Sequence, residues 1–276
     1  MLKLSACLTP NKAEFAPLLF AGRIFKGLDH AHRCGYDGVE LNILDSARLD
    51  KAPILDRIRK LNLAVFAIAT GQSFITDGYS LYNTDAGRRQ KAIERLQAHI
   101  DFAAEIGCYV IIGGLRGKLA PADAQNPEIV DRGHAALAAV NQYAVDHGVE
   151  LLLEPINRYE THMLNTVAET IDLIEQIDGN NIKLLLDTFH MNIEEPSIEK
   201  GFLTAGDRLG YVHFADNNRR APGWGHLDFA KVIKALQQIQ YRGAVGMEIL
   251  PKPDDGRAMR QAIAHVKKME AAIEND

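Results

Sequence analysis

Four stretches of the chain repeat one plan: the tail of a helix, a glycine, then a short apolar run. They read AHRCGYDGVELNI (31–43), AAEIGCYVIIGG (103–114), AVDHGVELLLEP (144–155) and QIQYRGAVGMEIL (238–250). Glycine just past a helix accepts the left-handed conformation that ends it. An unbroken β-branched or leucine-rich run after it reads as a strand buried on both faces. Extending the pattern predicts eight strands, near 2–8, 37–43, 63–69, 109–113, 149–154, 182–186, 210–214 and 244–249.

Helical periodicity fills the intervals. Residues 84–107 place Ile93, Leu96, Ile100, Ala103, Ala104 and Ile106 at helical spacing. Residues 165–177 set Thr166 three positions before Glu169, the spacing of a capping box. Strand–helix alternation throughout implies parallel strands with right-handed crossovers. Eight such units in 276 residues predict a (β/α)8 TIM barrel of the α/β class. A doubly wound open sheet fits less well, because no GxGxxG fingerprint follows the first strand. GGLRG at 113–117 echoes a phosphate loop only weakly and reads as a flexible loop. No proline- or serine-rich linker divides the chain, so one domain over 1–276 is expected.

Composition narrows the function. A net charge of −5 argues against a broad nucleic-acid footprint, which needs clustered Lys and Arg. Cys7, Cys34 and Cys108 are odd in number and lack a CxxC, which points to reduced core thiols rather than disulfides or a zinc knuckle. The opening MLKLSACLTP has a lysine inside an alternating pattern, and no run approaches the ~18 apolar residues of a membrane helix. The expectation is a soluble, cytoplasmic protein with no membrane or nucleic-acid partner.

The chemistry gathers at strand ends. Predicted strand 5 closes on Glu154 (LLLEP), strand 6 on Asp187 (LLLD), strand 7 carries His213 (YVHFAD), and strand 8 closes on Glu248 (GMEIL). In this architecture the C-terminal strand ends build the active site. Buried carboxylates on neighbouring strands repel one another unless positive charge sits between them. A divalent cation resolves this. Three carboxylates and one imidazole suit Mn²⁺ or Mg²⁺, with Co²⁺ or Fe²⁺ as further options. Glu160, His190 and Arg219 fall in the following loops, near the same rim, as does Arg116 in GGLRGK; His226 and Glu40 are open between site and structural roles.

At EPINRYE, DTFHMNIEE, HFADNNRRAPGWGHLDF and GMEIL the chain resembles the xylose isomerase-like barrel superfamily, and within it the ketose 3-epimerases of D-tagatose and D-psicose type. AIATGQSFITDGYSL (67–81) and IIGGLRG (111–117) bring it closer still to the 5-keto-L-gluconate epimerases. The resemblance spans essentially the whole chain, though the first two strands add little specificity. It implies that Glu154, Asp187, His213 and Glu248 bind the metal, Mn²⁺ foremost, with Glu154 and Glu248 as the two acid/base carboxylates. It also implies that Glu160, His190 and Arg219 hold the oxygens around the substrate carbonyl.

The implied activity is metal-dependent epimerisation next to a ketone, through a cis-enediolate, on a keto-sugar acid or a ketose. A homo-oligomer, dimer or tetramer, is expected. Arg116, carried on glycines that would let it bend over the site mouth, is the candidate grip for a sugar-acid carboxylate. The alternatives are an aldose–ketose isomerase such as a hydroxypyruvate isomerase, a sugar or inositol dehydratase, a non-catalytic sugar-binding protein, and an apurinic-site endonuclease. The last needs a histidine set that Glu40, Thr70 and Gly113 at strand ends 2 to 4 do not supply.

Overall fold

The computed structural model describes residues 1–13 and 17–274; positions 14–16 and 275–276 of the expected domain lie outside the described residues. Eight parallel strands follow one another around a closed barrel. They are β1 (Lys3–Leu8), β2 (Gly38–Asn42), β3 (Ala64–Ala69), β4 (Tyr109–Ile112), β5 (Leu151–Leu153), β6 (Ile182–Asp187), β7 (Leu209–His213) and β8 (Ala244–Met247). The TIM barrel expected from the pattern is therefore the fold.

Contacts group the chain into two compact units. The first is Met1–Leu41, Asp50–Phe66 and Leu186–Asp276; the second is Asn42–Leu49 and Ala67–Leu185. In the first unit β8 pairs with both β7 and β1, and β1 pairs with β2, placing Cys7 opposite Glu40 and His213 opposite Gly246. In the second unit β4 pairs with β3 and β5, and β5 with β6.

The elements form for the reasons the sequence offers. Thr166 and Glu169 make the reciprocal capping box at the start of helix Val167–Gln176. Asp85 caps helix Ala86–Ile106 by accepting from the Arg88 N–H, and Gly107 ends it at φ 72°. The fourth repeat departs from the plan: after helix Phe229–Gln238 the left-handed residue is Gln240 (φ 54°), not Gly243. β5 and β8 stop short of Glu154 and Glu248, so both glutamates stand just past their strands. The Glu154 N–H still donates to the Ile112 carbonyl at 3.3 Å, which continues the β4–β5 ladder into the site.

The GGLRG segment is not a flexible loop. Gly114–Arg116 forms a 3-10 turn, and the Leu81 and Tyr82 N–H groups donate to the Leu115 and Arg116 carbonyls. Its glycines serve close approach. A Cβ at Gly117 would meet Ser80 Cβ at 2.6 Å, and one at Gly114 would sit 3.2 Å from the Gly71 backbone. Arg116 is consequently fixed and fully buried rather than arched over an opening.

Candidate metal and active site

Asp187 ends β6 with no exposed surface. One carboxylate oxygen accepts from the Phe189 N–H at 2.8 Å and so caps the helix Thr188–Glu194. The other, Oδ2, accepts no hydrogen bond; its nearest cationic neighbours are Arg219 Nη2 at 3.7 Å and His190 Nε2 at 3.9 Å. Burial pushes the Asp187 carboxyl up to about 7, with Arg219 pulling in the opposite direction. A strand-end carboxylate in this state is short of positive charge.

His213, on β7, is buried, with Nε2 2.7 Å from Glu40 Oε2 and Nδ1 3.9 Å from Glu248 Oε2. Burial alone would lower its pKa, but Glu40 and Glu248 together carry it well above the ordinary range. Glu248 behaves in the mirror sense. Burial works to raise its pKa, yet the Arg219 guanidinium, 2.6 Å from Oε2, brings it below that of an ordinary glutamate.

Arg219 is aimed by its loop. It sits at φ 58°, a left-handed conformation uncommon for a residue with a side chain, and its guanidinium lies 4.6 Å above the Phe189 ring. The organiser is Asp216, fully buried, whose carboxylate accepts from the backbone N–H groups of Asn217, Gly223, Gly225 and Leu227 at 2.8–3.1 Å. The Asp216 carbonyl takes the Arg219 N–H at 2.7 Å, and the Arg219 carbonyl takes the Leu250 N–H at 2.8 Å. Sequence reasoning missed Asp216. A lone acid ahead of NNRRAPGWG, a run of backbone donors with two glycines, is the signal it offered.

In the second unit Glu154 is buried, and Gly113 makes room for it: a Cβ there would lie 2.4 Å from Glu154 Oε2. Glu160 is half-buried and accepts from Asn157 Nδ2 at 3.2 Å. Arg116 gives one hydrogen bond, Nη1 to the Leu164 carbonyl at 3.2 Å, while Nε and Nη2 have no hydrogen-bond partner. Burial lowers its pKa to about 10, against the pull of Tyr82 and Glu154.

Among the described residues of the first unit, Asp187, His213 and Glu248 each offer a ligand atom, all within 4.8 Å of one another. Cys7, Glu40 and His213 form a second such group. Two carboxylates and an imidazole, with one oxygen of Asp187 accepting no hydrogen bond and its acid pushed up by burial, fit a hard divalent cation. Of the other expected site residues, His190 and Arg219 flank Asp187, whereas His226 is exposed and donates its N–H to Asn217 Oδ1 at 2.9 Å. Glu40, open between two roles in the sequence, is a buried partner of His213.

Residues 28–269 match the family model described as xylose isomerase-like TIM barrel. The chain is 37% identical over 227 residues to L-ribulose 3-epimerase of Methylomonas sp. (strain DH-1), covering 81% of this chain and 77% of that protein. It is 28% identical over 258 residues to 3-dehydro-D-guloside 4-epimerase of Escherichia coli (strain K12), covering 90% and 95%. The crystal structure of D-allulose 3-epimerase from Methylomonas sp. in complex with D-allulose superposes with a TM-score of 0.81 at 28% identity, over 98% of each chain. No helix among the described residues is long and apolar enough to cross a membrane.

Proposed function

Because the chain belongs to the xylose isomerase-like TIM barrel family, we propose that it is a metal-dependent sugar epimerase inverting a carbinol next to a ketone. The observation that carries the reading is the convergence of Asp187, His213 and Glu248, with a ligand atom from each inside 4.8 Å; Glu154 is the fourth ligand this reading assigns. The relatives supply the reaction class, being named as epimerases of ketoses and of a keto-glycoside.

These four residues hold the cation, with Mn²⁺ the first choice and Mg²⁺ or Co²⁺ alternatives. Such an ion would supply Lewis acidity toward a substrate carbonyl, and a carboxylate of this chain would take the proton from the adjacent carbon. Epimerisation needs a base on one face of the planar intermediate and an acid on the other. Glu154 and Glu248 take these roles. Arg219 keeps Glu248 ionised and therefore ready to accept a proton. His190, Glu160 and Arg219 hold substrate oxygens. The substrate is a keto-sugar acid of the 5-keto-L-gluconate kind or a neutral ketose, and the enzyme works as a homo-oligomer.

The test is turnover of keto-sugars and keto-sugar acids in deuterated water, read by NMR, before and after chelation. Activity should vanish with the metal and return with Mn²⁺ or Co²⁺, and deuterium should enter only at the inverted carbon. Full turnover by metal-free protein, or an inverted product without solvent label, would refute the mechanism. An aldose product or a loss of water would place the chain with the isomerases or dehydratases instead.

A further inference from the structure

We propose that Glu40 is a positioning residue for the metal site: it holds His213 with the proton on Nε2 and turns the Nδ1 lone pair toward the cation. The inference rests on the metal reading above and concerns a residue outside the four ligands.

Glu40 lies on β2, a strand buried at every position, and has no exposed surface. A carboxylate placed there is costly unless a donor meets it. His213 Nε2 meets it at 2.7 Å. The two residues are not on adjacent strands, since β8 and β1 lie between β7 and β2. The imidazole reaches Glu40 because Gly246, its β8 register partner, has no side chain. A Cβ at Gly246 would sit 2.9 Å from His213 Cδ2 and 3.1 Å from Cys7 Sγ. Glycine at this point keeps the crossing open.

The geometry divides the two ring nitrogens. A neutral imidazole has one N–H and one lone pair. An imidazole that binds a cation gives up its second proton, so with the N–H given to Glu40 the lone pair would be on Nδ1, which lies 3.9 Å from Glu248 Oε2. That separation is too long for a hydrogen bond. It suits two ligands of one ion, whose donor atoms, each about 2.1 Å from the metal, stand about 3 Å or more apart. No ion fits between Glu40 and His213, because 2.7 Å is a direct hydrogen-bond distance. Glu40 and His213 therefore pair directly behind the cation, and the group they make with Cys7 is not a second site for one. Histidine ligands held this way typically lose about tenfold to a hundredfold in metal affinity when the supporting carboxylate is changed.

The experiment is calorimetric titration of Mn²⁺ into the wild-type, Glu40→Gln and Cys7→Ser proteins, with circular dichroism and thermal melting to establish folding. One Mn²⁺ per wild-type chain is expected, with affinity about tenfold to a hundredfold weaker in Glu40→Gln and within about twofold of wild type in Cys7→Ser. Unchanged affinity in folded Glu40→Gln overturns the role of Glu40 while leaving the metal reading intact. Loss of binding in folded Cys7→Ser also overturns it, because the ion would then sit among Cys7, Glu40 and His213. A wild-type protein that binds no divalent cation defeats the metal reading and this inference together. If Glu40→Gln does not fold, the wild type still decides. With ¹⁵N-histidine labelling, Mg²⁺ as the diamagnetic ion and His213→Asn to identify the signal, an Nε2–H tautomer with a metal-shifted Nδ1 supports the proposal. An Nδ1–H tautomer in the Mg²⁺-loaded protein sinks it.

Discussion

The loops after β7 and β4 each carry an arginine, and the two are treated in opposite ways. Arg219 has its counter-charges on hand: Glu248 at 2.6 Å, Asp187 at 3.7 Å, and the Phe189 ring beneath it. Its loop is tied down by the four backbone donors that converge on Asp216. Arg116 is more deeply buried, yet it has one carbonyl for company and two nitrogens without a hydrogen-bond partner. A charge-assisted pair inside a protein is strong, and an unmatched buried charge is expensive. The first region meets most of its charge within the chain, with Asp187 Oδ2 left accepting no hydrogen bond. In the second, a buried guanidinium keeps two nitrogens without a hydrogen-bond partner, and its charge is met only through Tyr82, Glu154 and Glu169 acting over a distance.

The glutamates at the two regions test whether they act as one machine. Glu154→Gln and Glu248→Gln keep size and remove the base. Each should lower kcat by about 10²–10⁴-fold, the usual contribution of a positioned acid or base. Activity that survives in either variant would break the two-carboxylate assignment, and a deficit confined to Glu248→Gln would place the chemistry in the β7–β8 region alone.

A smaller effect is expected on removing the settled cation. Arg219→Gln leaves Asp187 and Glu248 without their guanidinium, and breaking such a pair costs about 3 kcal/mol. The chelated variant should melt well below the chelated wild type. Mn²⁺ should recover part of the difference, because a divalent ion supplies charge to the same carboxylates. Equal melting of the two chelated proteins would show that the contacts of Arg219 contribute little.

The fold was legible because it rests on local signals that recur along the chain. Thr166–Glu169 and the left-handed Gly107 are caps that sequence alone specifies. The four proposed ligands were legible because each is a polar side chain set at the C-terminal end of a predicted strand, on four strands in succession. The residues behind them were not. Glu40 lies inside β2 and finds His213 only once the barrel closes, and nothing in GVELN shows which face that carboxylate meets. Gly113 and Gly246 fall inside predicted strands with nothing to mark them, whereas their work is to leave room for Glu154 and His213. Arg116 misled for the same reason. Three glycines around it suggested mobility, but two of them are small so that neighbouring chain can pack against the turn and hold it still.

The last and smallest effect concerns that buried arginine and the substrate. If its partnerless nitrogens receive the carboxylate of a keto-sugar acid, the wild type should use 5-keto-gluconate-type substrates with higher kcat/KM than fructose, psicose or tagatose. Arg116→Gln keeps a donor for the Leu164 carbonyl but removes the charge, so that preference should shrink by roughly 1.5–3 kcal/mol, the worth of a hydrogen bond to a charged group. Neutral ketoses have no carboxylate to lose, and their kcat/KM should stay within a few-fold. The structural alternative makes a different forecast. An arginine that only fills the core beneath the 3-10 turn would, when changed, alter melting and reduce acids and ketoses alike. Kinetics on one acid and one ketose, with melting curves for both proteins, separate the two. A uniform loss, or a wild type indifferent to the carboxylate, would leave Arg116 as packing and the substrate a neutral sugar.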